Sequence, residues 1–438
     1  MAAETFGENT IVIDLGLDRG EPETYARPTR RTVAPWFAPV LIALLVLVVA
    51  GGSAAPPAPA LSPLLTLRVG PADTYALTDN NELLAQTQGT LAAYDLATGT
   101  ERWQIASDRP TYRLRAANGL VLMRPWTSYG PGRPNTTALS LATGLTRWRH
   151  DGTVMNLTGS DALLGVFAVR SGGTNRRVQG PVQSLQPVDG TVLWEVQVPG
   201  TAVLLGVPGP GDAGPRMMLV HDNRTAAVHD LATGQKLASA ELPAANYGPE
   251  NPAVSGGVVL LRHLGRYGVM ISAYDPVTLQ RLWQRSADTA YEVRDCGPVA
   301  CLNSPDGVRG IDPATGAERW YRAGWRGVEQ RGAMTLAYGT ANGGADPVGI
   351  VDPSTGNVLS DLHGWRIVGG TDGDRLLVTR DVAAGARTMV AVAEPGLPGP
   401  RPLADLPPGT GDCQAAPGRL VCRSASGELV VWAYTLKE

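Results

Sequence analysis

Five histidines, His150, His221, His229, His263 and His363, are the first residues to test for chemistry, because imidazole is both a common metal ligand and a common general base. No two of them stand at a ligand spacing such as H-x-x-x-H, so no metal site is expected. His229 falls in a strand-like run and reads as packed rather than reactive. Asp372-Gly373-Asp374 supplies half of a calcium loop, but Gly-Asp turns between strands are commonplace in this chain. A nucleophile elbow, G-x-S-x-G, is absent. Two facing carboxylates could cleave a glycosidic bond, yet nothing in the order of residues brings such a pair together. No catalytic, cofactor-binding or metal-ligating residue is assigned, and the chain is expected not to be an enzyme.

Recognition of an anion is a different chemistry, and it needs arginine forks and aromatic faces close together. Trp126, Tyr129, Arg133, Arg170, Arg176, Arg177, Arg262, Arg266, Tyr267 and Arg387 lie in or beside five segments, 125–136, 170–181, 263–268, 338–347 and 381–387. Only the acids Asp346 and Asp381 accompany them. These ten residues are the candidate ligand rim. The competing reading is that arginine is simply the solubilising residue here, since only Lys236 and Lys437 among 37 basic residues are lysine. That bias, with abundant Ala, Gly and Pro, suits a high-G+C genome of actinobacterial type.

The rim segments share one place in a repeating unit. Tyr94-Asp95-Leu96-Ala97-Thr98-Gly99, ending at Trp103, is echoed by Ile311-Asp312-Pro313-Ala314-Thr315-Gly316 and Trp320. Equivalent positions fall at 95, 140, 186, 230, 275, 312 and 352, with a degenerate copy at Ala393. Units of about 40–45 residues built from short strands are propeller blades. In the first unit the strand-like runs are Thr74–Thr78, Glu82–Gln86, Thr90–Asp95 and Glu101–Ile105. The Asp binds amides two residues on, the Gly accepts a left-handed backbone, and the Trp wedges against the next blade. Repeated Asp, Thr and Trp are therefore structural. The last unit has only three such runs, and pairing Leu64–Val69 with it would close the ring and hide two strand edges. The expectation is an all-β fold, a single β-propeller of about eight four-stranded blades, with seven and nine as the bounds.

The pattern A-x-D-x-x-T-G-x-x-x-W resembles the tryptophan-docking repeat of quinoprotein (PQQ-like) β-propellers over residues 64–438. The resemblance implies the fold, but the enzymes of that family bind PQQ with calcium and carry an adjacent-cysteine disulfide. This chain has no Cys-Cys pair and no match to the calcium-binding set, so no cofactor is carried over. Similar propellers serve as outer-membrane assembly scaffolds, although their lipid-anchoring cysteine is missing here.

Four cysteines speak for the compartment. Cys296 and Cys301, and Cys413 and Cys422, each straddle the first hairpin of a unit, which fits two local disulfides and an oxidising environment. A four-cysteine zinc site would have to join distant units without C-x-x-C spacing. No charge occurs from Thr32 to Leu67. Residues 35–52 would span about 27 Å as a helix, with Arg27, Arg30 and Arg31 before them. The expected layout is a cytoplasmic disordered tail 1–34, a transmembrane signal-anchor helix 35–52, a Pro/Ala/Gly linker 53–63 and an extracytoplasmic propeller 64–438. A cleaved signal peptide is the rival, but the leader is long and acidic. Within the tail, Thr10–Leu15 is a lone β-prone stretch.

The tail holds six of the 40 acids and four of the 37 bases, leaving 34 acids against 33 bases outside. That neutrality argues against nucleic acid as a partner. The expected role is non-enzymatic: a binding or scaffolding module at the bacterial cell envelope, its partner an envelope protein or an anionic glycopolymer. The alternatives are an envelope carbohydrate hydrolase or lyase, and a sensor that signals through the tail.

Overall fold

The computed structural model describes residues 60–435 except 79, 88, 108–110, 126–134, 158, 172–175, 212, 247–250, 342–343, 372 and 383–384, together with Val40 and 42–44. The chain divides into a unit Met1–Ala58 and a unit Pro59–Glu438. The expected tail and most of the expected membrane helix lie outside the described residues. Among the described residues, no helix is long and apolar enough to cross a membrane.

The second unit is all-β, and its strands pair as antiparallel meanders. Six blades are separate four-stranded sheets, at 75–106, 111–151, 253–286, 292–323, 325–361 and 366–406. A seven-stranded sheet spanning 153–241 contains two more, fused because the strand Val192–Val207 ends one blade and begins the next. The last sheet takes Gly411–Ala416, Arg419–Arg423 and Glu428–Tyr434 from the C-terminal end and Leu61–Arg68 from the other. The described residues therefore form nine four-stranded units, one more than the eight expected and at the upper bound. The shared unit, which sequence counting left over, is a blade in its own right. Its closing strand runs antiparallel to Glu428–Tyr434, with Leu61 opposite Tyr434 and Arg68 opposite Glu428.

Nine apolar clusters hold these nine blades, one at each junction. Leu84, Leu91 and Trp103 of the first blade meet Leu114, Val121 and Leu139 of the second, and the series proceeds blade by blade. The eighth and ninth blades meet through Val390, Val392, Leu420 and Trp432. The ring then closes where Leu83 and Ala85 of the first blade meet Val421 and Val431 of the ninth. Alternation explains this packing, because successive side chains of a blade strand face opposite neighbours.

The repeated turn works as a socket. Asp95 Oδ1 accepts from Ala97 N at 2.7 Å, and Asp312 Oδ1 accepts from Ala314 N at 2.9 Å. Trp103, Trp148, Trp194, Trp283 and Trp320 each donate Nε1–H to a carbonyl in the next blade's turn, at 2.8–3.0 Å. A Cβ on Gly356 would lie 2.8 Å from the Trp320 ring, and Gly356 has φ +68°, so glycine is needed there twice over. Four of the nine junctions lack this Trp wedge, and in two of them the replacement is plain. Leu64 of the closing strand covers Gly99. Between the fourth and fifth blades the Trp position is Ala238 and the Gly position is the buried Leu279, at φ +58°. Small and large have changed sides.

Both expected disulfides, Cys296–Cys301 and Cys413–Cys422, are formed, and no cysteine is free.

Candidate functional site

The first strand of each blade lies innermost: Tyr75–Leu77 touches its counterparts Thr111–Ala117 and Gly411–Ala416, and Glu292–Asp295 touches Ala253–Ser255 and Trp325–Arg331. These first strands wall a central channel. Hairpins between second and third strands all emerge on one face of the ring, as their common place in the blade requires.

The rim residues divide in the structure. Trp126, Tyr129 and Arg133 lie outside the described residues, and Arg170 and Arg176 fall on the strands Leu163–Ser171 and Arg176–Leu185. Arg177 is already paired with Asp222 of the fourth blade at 2.7 Å, and Arg387 with Asp405 at 2.8 Å. Arg262 is partly buried, with its Nε unpartnered, and its backbone N donates to Asn251 Oδ1. Arg266 and the 90% exposed Tyr267 form a two-residue turn, the guanidinium 5.8 Å from the ring. The rim is thus less basic than its sequence suggests, because two arginines spend their charge within the ring. Its segments are also less loop-like, because alternating residues there extend the strands, as in Val258–Gly265 and Gly268–Tyr274.

A charged groove of about 420 Å³ opens on the channel between the sixth and seventh blades. Glu292 and Arg294 stand two residues apart on one innermost strand, and Glu329 and Arg331 do the same on the next, so each pair shares a face. Glu292 accepts from Arg294 at 2.6 Å and from Asn303 Nδ2 at 2.6 Å. Glu329 accepts from Arg331 at 3.1 Å and from the Tyr338 hydroxyl at 3.0 Å. Burial, then the Glu329 carboxylate, pushes the Tyr338 hydroxyl far above its usual range, so it is a fixed donor. Arg326 completes the lining and donates to Pro305 O. Gly327 sits between the two clusters without a side chain, which leaves them open to each other. Among the described residues no cluster of His, Cys, Asp and Glu could hold a metal ion. Sequence reasoning missed this groove. Its signal was present as two E-x-R triplets on first strands of neighbouring blades, 292–294 and 329–331.

The repeat and the ring together decide the family. The model of the family described as outer membrane protein assembly factor BamB matches residues 59–175 and 178–336. The chain belongs to that family. Among solved structures, it is similar to BamB from Moraxella catarrhalis at 13% identity, covering 85% of this chain and 100% of that one, with a TM-score of 0.41. A eukaryotic initiation factor covers 82% and 89% at 11% identity, with a TM-score of 0.50. A europium-containing methanol dehydrogenase covers 61% and 72% at 13% identity, with a TM-score of 0.39. No curated protein sequence matches. At 11% identity the likeness to the initiation factor shows a shared fold alone, and nothing more is carried over.

Two of the histidines are packed and hydrogen-bonded within their blades. His263 is buried, with Nε2 2.8 Å from Ser272 Oγ and Nδ1 3.0 Å from Leu264 O. His229 is buried as expected, its Nδ1 3.0 Å from Gly234 O. Burial lowers the proton affinity of His150, partly offset by Asp151, and lowers that of His221, with a further push from His229. Both take up a proton less readily in the fold than in the unfolded chain, which binds protons near pH 6.5. Stability should therefore fall as pH drops from about 6.5 toward 5. Below about 4 a second loss follows, because backbone and hydroxyl donors hold Asp230, Asp275 and Asp352 below the usual carboxylate range. Urea unfolding across pH checks this, and His150→Gln/His221→Gln should flatten the upper step alone.

Proposed function

We propose that this chain is a non-catalytic binding and scaffolding module of the bacterial cell envelope. The apolar run 35–52 anchors it, the propeller lies outside the membrane, and a polar ligand or partner segment enters the channel groove of the sixth and seventh blades. The observation that carries this reading is the groove's charge pattern. Acids and bases alternate along it, and each carboxylate is already engaged by a guanidinium and one neutral donor. Such a wall offers hydrogen-bond capacity and orientation to a ligand with charges of both signs. The family description, an assembly factor, and the two disulfides fit the same reading.

One observation favours a second reading, an envelope carbohydrate hydrolase: Glu292 and Glu329 line the same groove. A glycosidase needs one carboxyl held protonated in apolar surroundings and the other free to attack or to activate water. Neither glutamate here has such a setting.

Full-length protein in detergent, immobilised and exposed to envelope fractions of its host, should retain a partner. Gly327→Leu fills the groove without backbone strain, since Gly327 is not among the positive-φ glycines, and should weaken retention about tenfold, or about 1.4 kcal/mol. Turnover of an envelope glycan by the wild-type protein, abolished in Glu292→Gln or Glu329→Gln, would overturn the proposal in favour of the hydrolase.

A further inference from the structure

A second opening lies on the channel between the second and third blades, and its walls carry arginines without acids. Arg113 and Arg115 share one face of the innermost strand Thr111–Ala117, and Arg124 of the neighbouring strand stands directly opposite Arg113. Thr136, Thr153, Leu122 and Val154 complete the lining. Like charges facing each other across an antiparallel pair are destabilising. Here three of them converge, and no ion pair or hydrogen bond joins Arg113 or Arg115 to an acid among the described residues. Asp73 and Asp412 line an adjoining opening with Arg113, where Asp412 is 3.4 Å from Arg423 Nε and Asp73 accepts from Gly70 N at 2.6 Å. Burial and then Arg113 weaken the hold of Arg115 on its proton, the signature of a cation short of a counter-charge.

A second observation points into the same cavity. Thr153 is 5% exposed, and its hydroxyl is buried without a hydrogen-bond partner. Its neighbour Thr136 is satisfied, donating to Gly152 O at 2.8 Å and accepting from Val154 N at 3.1 Å. An orphaned buried hydroxyl is destabilising unless something fills the role. The enclosed part of the cavity, about 20 Å³, holds one oxygen-sized atom, and the arginines share its lining with Thr153.

We propose that this opening is an oxyanion site of the phosphate class. One oxygen enters the cavity and accepts from Thr153, while the Arg113 and Arg115 guanidiniums hold the oxygens left in the channel. The chemistry is shared by free phosphate and by a phosphodiester within an envelope polymer. It does not depend on the groove between the sixth and seventh blades.

The test uses the full-length protein at constant ionic strength, with inorganic phosphate, a poly(glycerol phosphate) chain and chloride as probes. Phosphate should raise Tm saturably and bind in calorimetry, whereas chloride should not. Arg115→Gln should weaken phosphate binding at least tenfold and invert in sign: more stable than wild type in chloride, where it relieves repulsion, and less stable at saturating phosphate. Thr153→Val, which keeps the side-chain shape, should weaken binding severalfold and serves if Arg115→Gln fails to fold. Tighter binding of the polymer than of inorganic phosphate assigns the site to a polymer, and the reverse assigns it to the free anion. Equal shifts in phosphate and chloride, or an unaltered phosphate response in both variants, would overturn the proposal.

Discussion

Trp320→Ala should destabilise the propeller by about 3–5 kcal/mol, measured as a shift in the denaturation midpoint at unchanged m-value. The ring is buried, donates Nε1–H to Pro353 O at 2.8 Å and lies against Gly356, so truncation opens a cavity and orphans a carbonyl at once. A domain of ordinary stability has only about 5–15 kcal/mol to lose. The junction between the fourth and fifth blades provides the control. There Ala238 and Leu279 replace the Trp and the Gly, and both pack into one cluster. Ala238→Trp alone should overpack against Leu279 and cost about 1–3 kcal/mol. Leu279→Gly alone should open a cavity while relieving the positive φ, and the two together should recover much of the loss. A coupling energy near zero would mean that the exchange of small and large residues is coincidental.

Excision of the strand Leu61–Arg68 is the second large effect. That strand supplies the outer edge of the ninth blade, buries Leu61 against Trp432 and Tyr434, and sets Leu64 over Gly99 of the first blade. The buried Leu61 contributes about 1.5–3 kcal/mol, the partly buried Leu64, Leu65 and Leu67 add to it, and the loss also strips the ladder from Glu428–Tyr434. A loss of at least about 5 kcal/mol is expected, together with concentration-dependent association through the bared edge. Calorimetry and sedimentation would report both. A variant that stays monomeric with its Tm intact would show that the ring holds without its clasp.

The repeat made the fold legible because each blade must solve one local problem, a tight turn and a wedge for the next blade, with the same few residues. The Asp95 and Asp312 turns, the docked Trp103 and Trp320, both disulfides and the closing strand followed from that logic. The blade number came out one short because the ninth unit, legible as three C-terminal runs closed by the strand before the first blade, was not counted as a full blade. The site was far less legible. Arg177 and Arg387 looked free because Asp222 and Asp405, their partners, lie 45 and 18 residues away. Glu292 and Glu329 looked like ordinary polar strand residues. Only the ring shows that first strands line the channel, and only there does an E-x-R triplet become a wall.

The strand Val192–Val207 has a mechanical meaning. At most other junctions blades meet through packed side chains alone, and between the eighth and ninth a single backbone bridge, Gly369 to Gln414, is added. Between the third and fourth, one continuous backbone carries the ladder, with Arg176–Gln179 of the third blade paired to Thr201–Leu204 of the fourth. Moving those two blades apart would break backbone hydrogen bonds, so compliance in the ring is expected at its ordinary joints. Both the charged groove and the arginine-lined opening span such joints. A ligand settling in either would stiffen a seam that otherwise gives, and could bend the far rim of the ring without touching it.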